Sequence, residues 1–312
     1  MIVGFDVGGT NARALLIEPE SGQVIDRERE SSAGSGPVLL ATLTAMIDRL
    51  ADRNSVSIEA VGLGVAGLAH RSGVVHYSPN LPDLVEYPIG TELQRTLEVP
   101  VVVMNDATAG TWAEAKLGAG RGTDDFLFVA LGTGIGTGFV CGGVLLQGAN
   151  GFAGEAGHMV VDADGPTHIT GQQGPWEYFA SGSALGRLGR EAAAEGRFDA
   201  AASSAGATGD IVGFDVVSSL RKGNAEAEVI LDEFCREVAR GMANLVIIFD
   251  PARIVIGGGV SEVGEPLRAG VERWLHKLLL GSDHRPHVDV VMAELGDEAG
   301  ALGAALMASD QL

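Results

Sequence analysis

The strongest constraint on the fold is a plan that occurs twice. An apolar run enters a turn of glycine and threonine and leaves as a second apolar run, first from Ile2 to Ile17 around Asp6-Val7-Gly8-Gly9-Thr10-Asn11 and again from Phe126 to Leu146 around Leu131-Gly132-Thr133-Gly134-Ile135-Gly136-Thr137-Gly138. Each reads as a β-hairpin whose turn is stripped of bulky side chains. Two such units in 312 residues predict two related α/β domains facing each other across a cleft, which the length allows.

Helical patterns fill the space between. Apolar residues recur at helical spacing at Leu39, Leu40, Leu43, Met46, Ile47 and Leu50, and again at Val229, Ile230, Phe234, Val238, Met242, Leu245 and Val246. The second run stops at Asp250-Pro251, because the residue before proline is pushed out of the helical region. Arg253-Ile254-Val255-Ile256 is a buried strand entering Gly257-Gly258-Gly259, and Val99 to Met104 is another, followed by Asn105-Asp106 and a helix ending near Gly118. Residues 199–209, rich in Ala, Ser and Gly, read as a surface loop, and Glu298–Met307 as a helix of small residues. The boundary is expected after the last strand of the first half. This gives an N-terminal α/β domain over 1–105, joined by the C-terminal helix at 298–312, and a larger α/β domain over 106–297.

Charge narrows the partners. Against 21 Lys and Arg stand 41 Asp and Glu, a net charge of -20, which repels nucleic-acid backbones and anionic lipid. An anionic small molecule would bind only through local donors. Cys141 and Cys235 make no disulfide framework and suit a reducing compartment. The chain opens on the strand-like Met1–Phe5 with no basic leader, and no apolar run is long enough to span a bilayer. The expectation is a cytoplasmic protein with no nucleic-acid or membrane partner. Glycine, 46 of 312 residues, supplies the tight turns that phosphate-binding loops use.

Neither common nucleotide motif is present. No lysine follows a glycine, so there is no Walker A loop, and the Gly-x-Gly-x-x-Gly at Gly62, Gly64 and Gly67 runs into the turn-like Leu68-Ala69-His70-Arg71-Ser72-Gly73 rather than a helix. The two Gly/Thr turns are either plain hairpins or cradles in which backbone N–H groups and threonine hydroxyls hold phosphate oxygens without lysine. Asp6 can hold hydrated Mg²⁺ on such phosphates. Gly257, Gly258 and Gly259 are either a plain strand-to-helix turn or room for a flat adenine.

Asp106 begins a helix after an apolar strand, which makes it an N-cap, a general base at a strand end, or both. Gly154-Glu155-Ala156-Gly157-His158 sets an acid and an imidazole three residues apart. They form an ion pair or a cap, or they line a pocket and bind hydroxyls. Glu177 is by default a helix N-terminal acid. The histidines and cysteines show no zinc spacing.

In this order the pieces resemble the ROK family of sugar kinases and repressors, and within it the bacterial, actinobacterial-type glucokinases. Gly4-Phe5-Asp6-Val7-Gly8-Gly9-Thr10-Asn11 is similar to the family's first phosphate motif and Leu131–Gly136 to its second. Asn105-Asp106-Ala107 looks like its catalytic Asn-Asp-Ala, Gly154–His158 like its Gly-Glu-x-Gly-His, and Asp250-Pro251 through Gly259 like its adenosine-side strand. The resemblance implies an α/β, two-domain actin-like (ribonuclease-H-like) ATPase fold of the sugar-kinase type.

By that resemblance Asp106 is the base on the sugar's 6-hydroxyl. Gly67, Asn80, Asn105, Glu155, His158 and Glu177 surround the sugar. Asp6, Gly8, Gly9, Thr10, Asn11, Gly132, Thr133, Gly134 and Gly257–Gly259 bind ATP with Mg²⁺, for which two Gly/Thr turns and the metal suffice without an arginine clamp. The implied reaction is phosphorylation of glucose by ATP. Mannose, fructose, N-acetylmannosamine and N-acetylglucosamine are alternative acceptors and polyphosphate an alternative donor. Relatives imply a homo-oligomer, a dimer or a tetramer. The family's repressors carry a helix-turn-helix before the first phosphate motif, and here that motif begins at residue 4, so a non-catalytic regulator is the minor alternative.

One departure stands out. The family commonly carries Cys-x-Cys-Gly-x-x-Gly-Cys-x-Glu, whose thiolates join the histidine of Gly-Glu-x-Gly-His on a structural zinc. Here the stretch reads His168-Ile169-Thr170-Gly171-Gln172-Gln173-Gly174-Pro175-Trp176-Glu177. Threonine is a poor zinc ligand and proline none, so a zinc-independent member is expected, with Pro175 and Trp176 holding Glu177 by packing.

Overall fold

The computed structural model describes residues 1–199 and 210–312. Nearly all of the loop expected at 199–209 lies outside the described residues. The chain forms two compact units, the first comprising Met1–Asp124, Gly138–Gly154 and Glu294–Leu312, the second Asp125–Thr137 and Glu155–Ala293.

The first unit is built on a five-stranded sheet. β1 (Ile2–Val7) and β2 (Asn11–Ile17) form the hairpin expected around the first turn, β3 (Val24–Ser31) pairs antiparallel to β2, and β4 (Ala60–Val65) and β7 (Val101–Asn105) follow in parallel on the other side, giving the order β3-β2-β1-β4-β7. A short hairpin of β5 (Leu68–Ala69) and β6 (Val75–Tyr77) stands apart.

β1 and β4 are covered on both faces, which is why their sequences are apolar throughout rather than alternating. On one face α1 (Gly36–Asn54) and α2 (Ile89–Leu97) bury Leu43, Met46 and Leu93 against Phe5, Leu16 and Leu63. On the other, α9 (Ala299–Ser309) sets Ala301, Leu302 and Ala305 against Ile2, Leu15 and Ile17. Small residues let α9 lie almost on the backbone of the sheet. A Cβ at Gly62 would collide with the Ala304 carbonyl, so Gly62 serves helix packing inside β4 and not a dinucleotide loop.

α3 (Asp106–Leu117) packs against α9 through Ala109, whose carbonyl meets Gly303, and through Ala113. The boundary expected at Asn105 therefore falls inside the first unit. The chain leaves that unit only after Asp124, and the segment Gly138–Gly154, expected in the larger domain, belongs to the first unit too.

The second sheet repeats the plan. β8 (Phe126–Leu131), β9 (Ile135–Cys141) and β10 (Val144–Leu145) form a meander, and β11 (Arg253–Gly257) and β12 (Asp289–Met292) run parallel to β8, in the order β10-β9-β8-β11-β12. Both sheets thus place an antiparallel hairpin beside two parallel crossover strands.

The helices of the second unit are α4 (Trp176–Ala180), α5 (Gly182–Ala194), α6 (Gly213–Arg221), α7 (Ala225–Phe249) and α8 (Glu265–Leu278). The Asn224 side chain caps α7 by accepting from Glu226 N and Ala227 N at 2.9 and 3.0 Å. Ile230, Phe234, Val238, Met242 and Leu245 line its buried face, and it ends at Asp250, left-handed at φ 46° before Pro251. Cys235 lies within this core, where burial pushes its thiol up to about 12.

Candidate functional site

In the first unit, chemistry gathers at the carboxyl ends of β1, β4 and β7, where open α/β sheets bind ligands. Asp6 pairs in register with Gly64, and the place of the missing Gly64 side chain is bordered by the Phe5 carbonyl and the Asp106 backbone. The bare Gly64 thus lies between the register position of Asp6 and the backbone of Asp106. Burial, then the neighbouring Asp106 charge, push the Asp6 carboxyl up to about 7, with Arg13 opposing and Asp297 adding to the rise. Burial also raises Asp106, against a hydrogen bond from the Ala107 N–H.

The cap of α3 is Asn105 and not Asp106. The Asn105 side-chain oxygen accepts from Ala107 N at 2.8 Å and Thr108 N at 3.2 Å, while Nδ2 donates to the Gly67 carbonyl at 3.2 Å. Asp106 is the first helical residue, its carboxylate accepting from its own neighbour Ala107 at 2.9 Å. Asn105 therefore fixes both the helix start and Gly67, and the orientation of Asp106 follows from it. Asn80 also belongs here, since its backbone carbonyl closes on the space beside Gly9.

Gly8, Gly9, Thr10 and Asn11 line a cavity of about 260 Å³ together with Asp6, Arg13 and Arg29. Ser32 braces this turn, donating through Oγ to the Gly8 carbonyl at 2.6 Å and through N to the Thr10 carbonyl at 3.2 Å. A larger groove of about 580 Å³ over Val38, Ala41, Thr42 and Ala45 offers only an already paired Arg49 and Glu30 as charges, so no chemistry is assigned to it.

The residues Gly132, Thr133, Gly134, Glu155, His158, Glu177 and Gly257–Gly259 all lie in the second unit. The turn after β8 is held through its carbonyls: Gly132 accepts from Gly182 N at 2.7 Å and Thr133 from Ser183 Oγ at 2.9 Å. Thr133 is exposed. Thr137 is buried, and its hydroxyl accepts from Ala156 N at 3.3 Å, so of the turn's two threonines only Thr133 faces outward.

Glu155 and His158 bracket a single 3₁₀ turn, with His158 N donating to the Glu155 carbonyl at 3.1 Å, so the pair lies on one face. Glu177, in the first turn of α4, accepts from Ile135 N at 2.7 Å and closes on Gly134 so tightly that a Cβ there would collide with the carboxylate. Glu177 is therefore tied to the second turn itself. Gly258 lies against the Leu131 backbone, and Gly259 opens on empty space.

The stretch where the family holds zinc is braced by other means. His168 Nδ1 hydrogen-bonds Thr170 Oγ1 at 3.0 Å, His168 Nε2 stands 3.5 Å from Glu177, and Gln172 Nε2 donates to the His158 carbonyl at 2.5 Å. Trp176 is fully buried, donates through Nε1 to the Glu237 carbonyl at 3.0 Å, and fills the space beside Gly241 on α7. No cluster of three metal-ligating side chains occurs among the described residues. The donor set does not fit tetrahedral zinc.

Strand β3, with Arg29, escapes a reading by apolar period, because its alternation is charged: Asp26-Arg27-Glu28-Arg29-Glu30. No helix among the described residues is long and apolar enough to cross a membrane.

The sequence pattern of the ROK family matches residues 2–311. The glucokinase of Streptomyces coelicolor is 33% identical over 99% of this chain and 98% of its own. The N-acetylmannosamine kinase of Shigella flexneri is 30% identical over 99% of each chain. The crystal structure of a ROK family glucokinase from Streptomyces griseus in complex with glucose and AMPPNP superposes with a TM-score of 0.87 at 34% identity, covering 99% of both chains.

Proposed function

The chain belongs to the ROK family and has the actin-like, ribonuclease-H-like ATPase fold of its sugar kinases, and on that premise we propose that it is a glucokinase, transferring the terminal phosphoryl group of ATP to the 6-hydroxyl of glucose. The observation that carries this reading is Asp106: a carboxylate at the end of a parallel strand, oriented by Asn105 and made more basic by burial.

In the proposed reaction Asp106 accepts the proton of the 6-hydroxyl as its oxygen attacks the γ-phosphorus. The bond from that phosphorus to the β,γ-bridging oxygen breaks, and ADP departs. A raised carboxyl affinity for protons suits a base working near neutral pH. Such a transfer needs alignment and charge neutralisation more than covalent help.

Sugar hydroxyls each offer a donor and an acceptor, and Glu155, His158, Glu177, Asn105 and Asn80 match them with directional bonds. Gly8–Asn11 and Gly132–Gly134 receive the phosphates, and Gly257–Gly259 the adenosine. Asp6, a hard oxygen donor beside the first turn, fits Mg²⁺, which when bound with ATP neutralises phosphate charge. We further propose that the protein works as a dimer or tetramer, which light scattering measures.

A panel of glucose, mannose, fructose, N-acetylglucosamine and N-acetylmannosamine, assayed by coupled ADP detection with ATP and with polyphosphate, tests the proposal. Glucose with ATP is expected to give the highest kcat/KM. Turnover of an N-acetylhexosamine but not of glucose replaces the acceptor, and sugar binding without any turnover replaces the kinase by a regulator.

A further inference from the structure

Three charged residues stand in one row across the first sheet. Asp6 on β1 is in register with Arg13 on β2, and Arg13 with Arg29 on β3. Residues directly opposite on neighbouring strands project to the same face, so the row runs carboxylate, guanidinium, guanidinium, and all three line the cavity with Gly8, Gly9, Thr10 and Asn11.

Stability does not account for Arg29. Like charges directly opposite across two strands destabilise a sheet. The other arginines nearby are matched by carboxylates: Arg27 pairs with Glu298, Arg49 with Glu28 and Glu30, and Arg53 with Asp26 and Glu28. Arg13 is anchored to the carbonyl and carboxylate of Asp297. Arg29 is exposed and makes no ion pair or side-chain hydrogen bond among the described residues, in a chain with nearly twice as many acids as bases. Two guanidiniums held side by side at a glycine turn, one prefixed and one unspent, make an anion site with fork geometry suited to phosphate.

We propose that Arg13 and Arg29 are a donor-phosphate clamp, binding the phosphate chain of a magnesium triphosphate at the first turn and setting its position beside Asp6. Arg13 supplies the fixed half of the clamp and Arg29 the half that closes on the ligand. The clamp rests on the kinase reading for its role in turnover, while anion binding itself does not need that reading. The chemistry shared by a nucleoside triphosphate and inorganic polyphosphate is the phosphate chain, and titration with each separately tells the two apart.

The test is calorimetric titration of the full chain with magnesium tripolyphosphate and, separately, with magnesium ATP, comparing wild type with Arg29→Gln, Arg29→Lys and Arg13→Gln. Loss of one charge-assisted pair predicts about tenfold weaker binding of at least one probe by Arg29→Gln. Partial recovery is expected in Arg29→Lys, with an unchanged unfolding midpoint. In the kinase assay the KM for ATP rises with the KM for glucose unmoved. Loss confined to tripolyphosphate assigns the clamp to inorganic polyphosphate, and loss of both to the common chain. Binding of both probes by Arg29→Gln within about twofold of wild type, or no binding of either by wild type, overturns the proposal. If wild type binds the probes but phosphorylates no sugar, the kinase reading fails alone and the titrations still decide the clamp.

Discussion

The turns at Gly8–Asn11 and Gly132–Gly134 arise from the same hairpin plan, yet their surroundings differ in kind. Around the first, charge is concentrated: a half-buried aspartate, a second carboxylate at the end of β7, and two arginines in register. Around the second, the Glu177 carboxylate accepts from the backbone N–H of Ile135, and the buried Trp176 beside it on α4 is fastened to the Glu237 carbonyl of α7. The first turn is specialised electrostatically and the second mechanically. One supersecondary unit, used twice, thus yields a pole that gathers charge and a pole that holds shape.

The sharpest way to break this contrast is Asp106→Ala. If the chemistry belongs to the charged pole, kcat falls at least about a hundredfold, while calorimetry still detects glucose binding and the Asn105 cap keeps α3 folded. Retention of more than about a tenth of wild-type kcat would remove Asp106 as base.

Trp176→Ala attacks the mechanical pole. Emptying that fully buried site is expected to cost about 3–5 kcal/mol in denaturant unfolding and to raise the KM for glucose, because Trp176 fastens the start of α4, which carries Glu177, to α7. A loss below about 1 kcal/mol would show that the 155–177 stretch stands without it.

Asp6→Asn separates stability from function. A carboxyl raised from 3.8 to about 7 leaves the folded state holding a proton that the unfolded state has released, so its stabilising contribution is whole below pH 4 and is lost as pH rises through 7. The asparagine variant should therefore be more stable to unfolding than wild type at pH 8, by on the order of a few kcal/mol. The two should converge near pH 4, although phosphoryl transfer is impaired. A variant less stable than wild type at pH 8 contradicts the assigned cause.

The smallest expected effect is none. Metal analysis of the purified protein should find no stoichiometric zinc, and a zinc chelator should leave the unfolding midpoint unchanged. One zinc per chain would return the second pole to the family's usual device.

Much of this was legible in the order of residues. The two hairpins, α1, α7, α9 and the strand before Asn105 announce themselves by apolar period and by Gly, Pro and Asn at their ends. Two positions misled at the scale of a single residue. Asp106 and Asn105 are adjacent and both make good caps, so only backbone geometry decides between them. The domain boundary depends on α3 finding α9, a contact between residues far apart in the chain. Arg29 was invisible for a similar reason, since its meaning lies in a register with Arg13 that nothing local specifies. The brace of His168, Thr170 and Gln172 replaces a motif recognisable by its cysteines with polar residues that carry no motif of their own.

The charged alternation of β3 has a consequence beyond the clamp. β3 is an outer strand of its sheet, where unpaired backbone groups invite another chain to add itself. Asp26, Arg27, Glu28, Arg29 and Glu30 in succession, several of them tied to Arg49 and Arg53 on α1, make that addition unfavourable. The sheet of the first unit thus ends at β3 on an edge guarded by charge, and that edge is also where the row from Asp6 through Arg13 to Arg29 ends.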